Sequence, residues 1–196
     1  MNPYEARTFT LPTLDGISQK SVDEHLGLYQ GYVKNFNTIS TKLVEYAADS
    51  EKNQHALSEL IRRKSFEFDG MRLHELYFEQ FEGGAQALGA SPLADALKAE
   101  YHEYFQQYFT AIGNMRGPGW AILYYDPIGK RFQTGFAGEQ HQGHFATLPI
   151  ILALDVWEHA FLLDYGALGK AKYIEAFFKN LNWNVIETRY TQASKS

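Results

Sequence analysis

The segment Asp155-Val156-Trp157-Glu158-His159-Ala160 follows an apolar run from Leu148 to Leu154 and sets a carboxylate and an imidazole at i and i+4. That spacing projects both side chains from one helix face, or from a strand end and the turn beyond it. Carboxylate oxygen and imidazole nitrogen together suit a first-row metal such as manganese or iron. Alone, such a pair is more often a solvated ion pair, so further ligands are needed. The 196 residues include no cysteine, and those ligands must be histidines or carboxylates. Of the seven histidines, His55 and His102 sit among charged neighbours and read as solvated, and His144 reads as a loop residue. His74 lies between Leu73, Leu76, Tyr77 and Phe78, where an unpaired imidazole costs about 1–3 kcal/mol to bury. It needs a partner, either a carbonyl or a metal.

The hexapeptide D-V-W-E-H-A, followed by Phe161, resembles the C-terminal metal motif D-x-W-E-H-A-Y of the iron/manganese superoxide dismutases. The resemblance continues in order through Leu11-Pro12-x-Leu14, the stretch from His25 to Val33, His74, Gly117-Pro118-Gly119-Trp120 and Asn182-Trp183, and so spans nearly the whole chain. It implies a dismutase that converts superoxide to dioxygen and hydrogen peroxide at one manganese or iron ion per subunit. The implied ligands are His25, His74, Asp155 and His159, with solvent as a fifth.

The first ligand departs from the family pattern. Relatives carry it eight residues before the tyrosine of a Y-V pair, but His25 is seven before Tyr32 and Glu24 holds the eight-residue spacing. At about 100° per residue, positions seven apart on an α-helix are nearly in line, while eight apart diverge unless a π-bulge absorbs the extra residue. An uninterrupted helix therefore favours His25, with Glu24 beside the site. Were Glu24 the ligand, a non-dismutase metal-binding protein of the same fold would be the alternative.

By resemblance, Tyr32 is the gate and proton donor. Its partner should come from Gln140 or His141, because the family's other source, four residues before the second ligand, is Gly70 here. Trp120, Trp157 and Phe78 are expected to wall the site. Glu158 should bridge to the neighbouring subunit's ligand histidine, and Tyr173 should cross the same interface, giving a homodimer or a dimer of dimers. Lys34, Lys170 and Lys172 are candidates for steering superoxide. Leu28, Leu73 and Phe161 replace family polar residues and put the interface hydrogen bonds and proton supply in question.

The elements that must hold these residues read as an α+β fold: a helical N-terminal hairpin domain, residues 1–90, then an α/β domain, residues 91–196, with a three-stranded antiparallel sheet. The spacing of Val22, Leu26, Tyr29, Val33, Phe36 and Val44 predicts a helix over about 19–48, capped by Ser18 or Ser21. Two helices should follow at about 53–66 and 71–80, and another from Leu93 to Ile112 behind Ser91-Pro92. Strands are expected at 120–125 and 130–139, the run 148–154 can be a third, fully buried strand although periodicity alone does not exclude helix there, and helices are expected at 156–165 and 170–191. Hydrophobic residues at 45% provide a sizeable core. The net charge of −5, with no basic block, argues against nucleic acid and anionic membrane. With no apolar run of 18 residues and no signal-like N-terminus, the expectation is a soluble cytoplasmic protein.

Overall fold

The computed structural model describes residues 2–195. Helix α1 (Gln19–Ala47) and helix α2 (Gln54–Glu79) form a long hairpin. Two short helices, α3 (Pro92–Tyr101) and α4 (Phe105–Gly113), lead into strands β1 (Trp120–Asp126), β2 (Arg131–Ala137) and β3 (Ile150–Asp155). Helices α5 (Glu158–Tyr165), α6 (Lys170–Asn180) and α7 (Trp183–Ala193) complete the chain. The sheet order is β2-β1-β3 with both pairings antiparallel, so the architecture is α+β with a helical N-terminal part.

Ser18 caps α1 by accepting a hydrogen bond from the Ser21 amide at 3.1 Å. The buried face of α1 runs Val22, His25, Tyr29, Val33, Phe36 and Ile39, an i, i+3, i+4 stripe laid against α2. Val44, expected on that face, is exposed, because the stripe ends at Ile39. Helix α2 is continuous where two helices were predicted. Glu67 and Gly70 lie in the gap between the two predicted helices, where Glu67 is ion-paired to Arg63 at 2.7 Å and Gly70 is packed against the Tyr32 ring.

Two predicted helices are each divided. The first ends at His102, whose φ of 55° no α-helix accommodates, and α4 starts afresh at Phe105. The second breaks at Leu181 in extended backbone, after which the Asn182 side chain accepts from the Asn184 amide to start α7. The Asn182 amide meanwhile donates to the Gln80 carbonyl at 2.8 Å, tying this break to the end of α2.

Strand β1 is the centre of the sheet and is buried along nearly its whole length. Asp126 Oδ1 accepts from the amides of Ile128 and Gly129, both at 3.0 Å, to close the turn into β2. In the pairing with β3, Trp120 stands opposite Asp155, so the first residue of one strand and the last of the other reach the same edge. That edge faces the helical hairpin. Among the described residues no helix is long and apolar enough to cross a membrane.

Candidate metal centre

Four elements converge where the hairpin meets the sheet edge: α1 brings His25, α2 brings His74, the end of β3 brings Asp155 and the first turn of α5 brings His159. One nitrogen or carboxylate oxygen from each lies within 4.8 Å of all the others. Asp155 Oδ2 is the focus, 3.3 Å from His25 Nε2, 3.6 Å from His74 Nε2 and 3.0 Å from His159 Nε2. Asp155 and His159 do not share a helix; the Trp157 amide donates to Asp155 Oδ1 at 2.8 Å and turns the chain from strand to helix between them. Glu24 lies outside the cluster, exposed on α1 and 3.8 Å from Lys20. Helix α1 is α-helical throughout, so His25 and Tyr32, seven residues apart, both turn inward.

The protonation pattern suits cation binding. His74 Nδ1 is 2.6 Å from the Gly70 carbonyl. A carbonyl only accepts, so the proton sits on Nδ1 and the Nε2 lone pair points into the cluster. Burial, then the neighbouring His25, pushes the His74 imidazole down to about 3, and burial likewise lowers His25 against the opposing pull of Asp155. Burial alone would raise the Asp155 carboxyl, but His159 and His25 outweigh it and hold it well below the usual carboxylate range. His159 is less enclosed; burial opposes its protonation, and Asp155 overrides that to raise its pKa.

Buried at this point, therefore, are an ionised carboxylate and two neutral imidazoles. Their Nε2 atoms, on His25 and His74, have no hydrogen-bond partner among the described residues. Buried polar atoms without a partner are costly unless something satisfies them, and a cation at the convergence of three nitrogens and one oxygen would do so. The donor set is that of a manganese or iron site.

Aromatic rings enclose the cluster. Phe78 and Tyr77 lie 5.0 and 4.9 Å from the His25 ring, Trp120 sits edge-on to His74 at 5.2 Å, and Trp157 lies parallel to His159 at 6.2 Å. Tyr32 packs on His74 at 5.0 Å, and its hydroxyl accepts from Gln140 Nε2 at 3.0 Å. Gln140 Oε1 in turn accepts from Trp120 Nε1 at 2.8 Å. Of the two candidates near this tyrosine, Gln140 is the one in contact. His141 turns toward Glu139, 3.5 Å away, and rests against Phe66. Burial, followed by the negative charges of Asp155 and Glu67, raises the Tyr32 phenol well above its ordinary pKa.

The model of the C-terminal domain of iron/manganese superoxide dismutases matches residues 89–189. The chain is 35% identical to the superoxide dismutase [Fe] of Saccharolobus solfataricus over 182 residues, covering 88% of this chain and 85% of the relative. This chain belongs to the iron/manganese superoxide dismutase family. The superoxide dismutase [Fe] of Cupriavidus metallidurans is 34% identical, with 92% of this chain and 91% of the relative covered. The superoxide dismutase [Mn] of Mycobacterium lepraemurium is 30% identical, with 95% and 94% covered.

One sequence expectation is corrected in this family member. Tyr173 does not reach an interface: it is 0% exposed and its hydroxyl is 3.0 Å from that of Tyr77, in the core behind His25. Lys170 Nζ donates to the Met115 carbonyl at 2.5 Å and anchors the loop before β1. Lys34 and Lys172 are exposed on α1 and α6.

Four residues escaped the sequence reading. A Cβ on Gly70 would stand 2.5 Å from Tyr32 Cδ1, so glycine makes room for the ring; a glycine inside a helical pattern was the available signal. Arg63 stacks 3.8 Å over Phe66 and pairs with Glu67 beside Tyr32, and only its i,i+4 spacing to Glu67 hinted at this. Tyr77 and His144 carried no local signal, since their partners are distant in sequence or lie in an irregular loop.

Proposed function

We propose that this protein is a superoxide dismutase holding one manganese or iron ion per chain through His25, His74, Asp155 and His159. The observation that carries this reading is the pair of buried, unpartnered imidazole nitrogens aimed at an ionised aspartate. When bound, the metal supplies a one-electron couple through which two superoxides become dioxygen and, with two protons, hydrogen peroxide. The chain's own residues then have separate tasks. The Nδ1–H of His74, fixed on the Gly70 carbonyl, keeps Nε2 available as a donor. Tyr32, with its phenol kept protonated by burial and its hydroxyl oriented by Gln140, holds a proton at Oη beside the cluster. Phe78, Tyr77, Trp120 and Trp157 exclude bulk water.

Assembly as a homodimer is part of the same proposal. Glu24, Gly27, Leu28, Glu158, His159, Leu162 and Leu163 line a surface depression of about 630 Å³, and its three leucines are exposed to solvent. A two-fold axis here would bury them and let Glu158 of each copy approach the opposite His159. Lys34, Lys170 and Lys172 are the cations available to draw in superoxide. A cytoplasmic location and the domain division near residue 90 remain part of this proposal.

The test is purified protein carrying His25→Ala or Glu24→Ala. The expected result is about one metal per chain and rapid superoxide removal in the parent and in Glu24→Ala, both lost in His25→Ala. Metal without turnover in the parent would instead support the non-dismutase metal-binding alternative, and absence of metal would refute both.

A further inference from the structure

Gln140 is the link between Tyr32 and Trp120, yet it sits in an irregular loop. Among the described residues, no backbone-to-backbone hydrogen bond involves the stretch from Gly138 to His144. Something else must hold a fully buried side chain in register within such a loop. His144 does so from both ring nitrogens. Its Nε2 is 2.8 Å from the Gln140 carbonyl, and its Nδ1 is 2.8 Å from the hydroxyl of Tyr124 on β1.

The tautomer follows from the partners. The carbonyl can only accept, so the neutral ring carries its proton on Nε2, and Nδ1 must accept from the Tyr124 hydroxyl. Gly143, at φ +94°, makes the reversal possible; a Cβ there would meet the Phe136 carbonyl oxygen at 2.9 Å. Next along the chain, the Phe145 ring packs edge-on to Tyr124 at 5.3 Å. A rigid strand residue is thereby joined through one imidazole to the backbone of Gln140, and through the Gln140 side chain to Tyr32 and Trp120.

We infer that His144 is a positioning residue that fixes Gln140 against Tyr32, a role that matters for catalysis only on the dismutase reading above. Groups held by such supporting bonds lose about 10- to 100-fold in activity or affinity when the support is removed. His144 touches none of the four metal-cluster residues, so metal content should be unchanged by its removal.

The test compares His144→Ala, His144→Gln and Tyr124→Phe, each alone and combined with Gln140→Ala, by crystal structure and by superoxide turnover of the metal-loaded protein. In His144→Ala the Gln140 Nε2 to Tyr32 Oη distance should open beyond about 3.5 Å and turnover should fall about tenfold. His144→Gln, which can still donate to the carbonyl and accept from Tyr124, should restore both. In the Gln140→Ala background His144→Ala should change turnover less than about twofold, since residues acting through one another are not additive. An unchanged Gln140 to Tyr32 distance in His144→Ala, or an equal loss of turnover with and without Gln140, overturns the inference. Should His144→Ala fail to fold, Tyr124→Phe removes a single hydroxyl and must shift the same distance; if it does not, the inference falls. A parent protein without superoxide turnover would sink the proposed function alone, because the crystallographic distances still decide the role of His144.

Discussion

At the scale of single residues, Gly70 shows how a site is made by leaving atoms out. Glycine within a helix costs about 1 kcal/mol relative to alanine. Here its missing Cβ admits the Tyr32 ring, and its carbonyl fixes the His74 tautomer. Gly70→Ala should therefore expel the ring: turnover is expected to drop about tenfold or more with metal content retained, and stability to fall by about 1–3 kcal/mol from overpacking. Turnover, metal analysis and urea unfolding of the variant check this, and an unaltered turnover would contradict it. The i,i+7 spacing of His25 and Tyr32 was legible in the sequence, because helical geometry is local. The choice between Gln140 and His141 was not, because both belong to a loop whose register is set by Tyr124 and His144 rather than by any repeat.

At the scale of elements, Arg189 on α7 clamps the end of α2 to the sheet. It donates to the Leu76 carbonyl at 2.7 Å and to Glu79 at 2.8 Å, and reaches the Ile151 carbonyl at 3.4 Å. Arg189→Ala removes these three hydrogen bonds, leaving Glu79 only its bond from Arg7, and should destabilise the fold by about 1–3 kcal/mol, read by chemical denaturation. The same clamp predicts a pH dependence. Burial would raise the Glu79 carboxyl, but hydrogen bonds and charge from Arg189 and Arg7 lower it overall. A depressed folded-state pKa contributes stability that is fully present above the unfolded value of about 4.3 and is lost as pH falls through the folded value. Melting temperatures recorded from pH 6 downward should show a shallower acid loss in Glu79→Gln than in the parent; equal slopes would exclude Glu79 as a contributor. The first helix, the β1–β2 pair and the order of elements were readable from apolar periodicity, whereas the run that forms β3 reads as strand or helix alike and the continuity of α2 was missed. The breaks at His102 and Leu181 were not readable either, since a left-handed residue and an extended one interrupt patterns that remain amphipathic on both sides.

At the scale of the whole molecule, the cluster is stitched from four elements that span residues 25 to 159, so ligand binding and folding are coupled. Anything that binds the folded state alone stabilises it by RT ln(1 + [L]/Kd), about 2.7 kcal/mol at a hundredfold excess over Kd. Stripping the metal with a chelator should lower the melting temperature, and adding manganese or iron should restore it; a Tm indifferent to metal would argue against occupancy of this cluster. Association is a separate prediction. Leu28 and Leu162 are 43% and 47% exposed on one face, so Leu28→Glu with Leu162→Glu should yield monomers in sedimentation velocity while the parent sediments as a dimer. A parent that is monomeric at micromolar concentration would remove that interface from the proposal.

The sequence by itself determined the chemistry available: with no cysteine, only imidazole and carboxylate could meet a metal, and helical spacing turned His25 inward with Tyr32. It also determined the α+β order of elements, because burial of apolar stripes is dictated by short-range periodicity. The tertiary structure alone decided that Asp155 ends a strand and is not on the helix of His159, that Gln140 and not His141 meets Tyr32, and that Tyr173 is enclosed with Tyr77. Those outcomes depend on contacts between segments tens of residues apart, where packing and hydrogen-bond satisfaction select one loop register among several that local spacing allows equally.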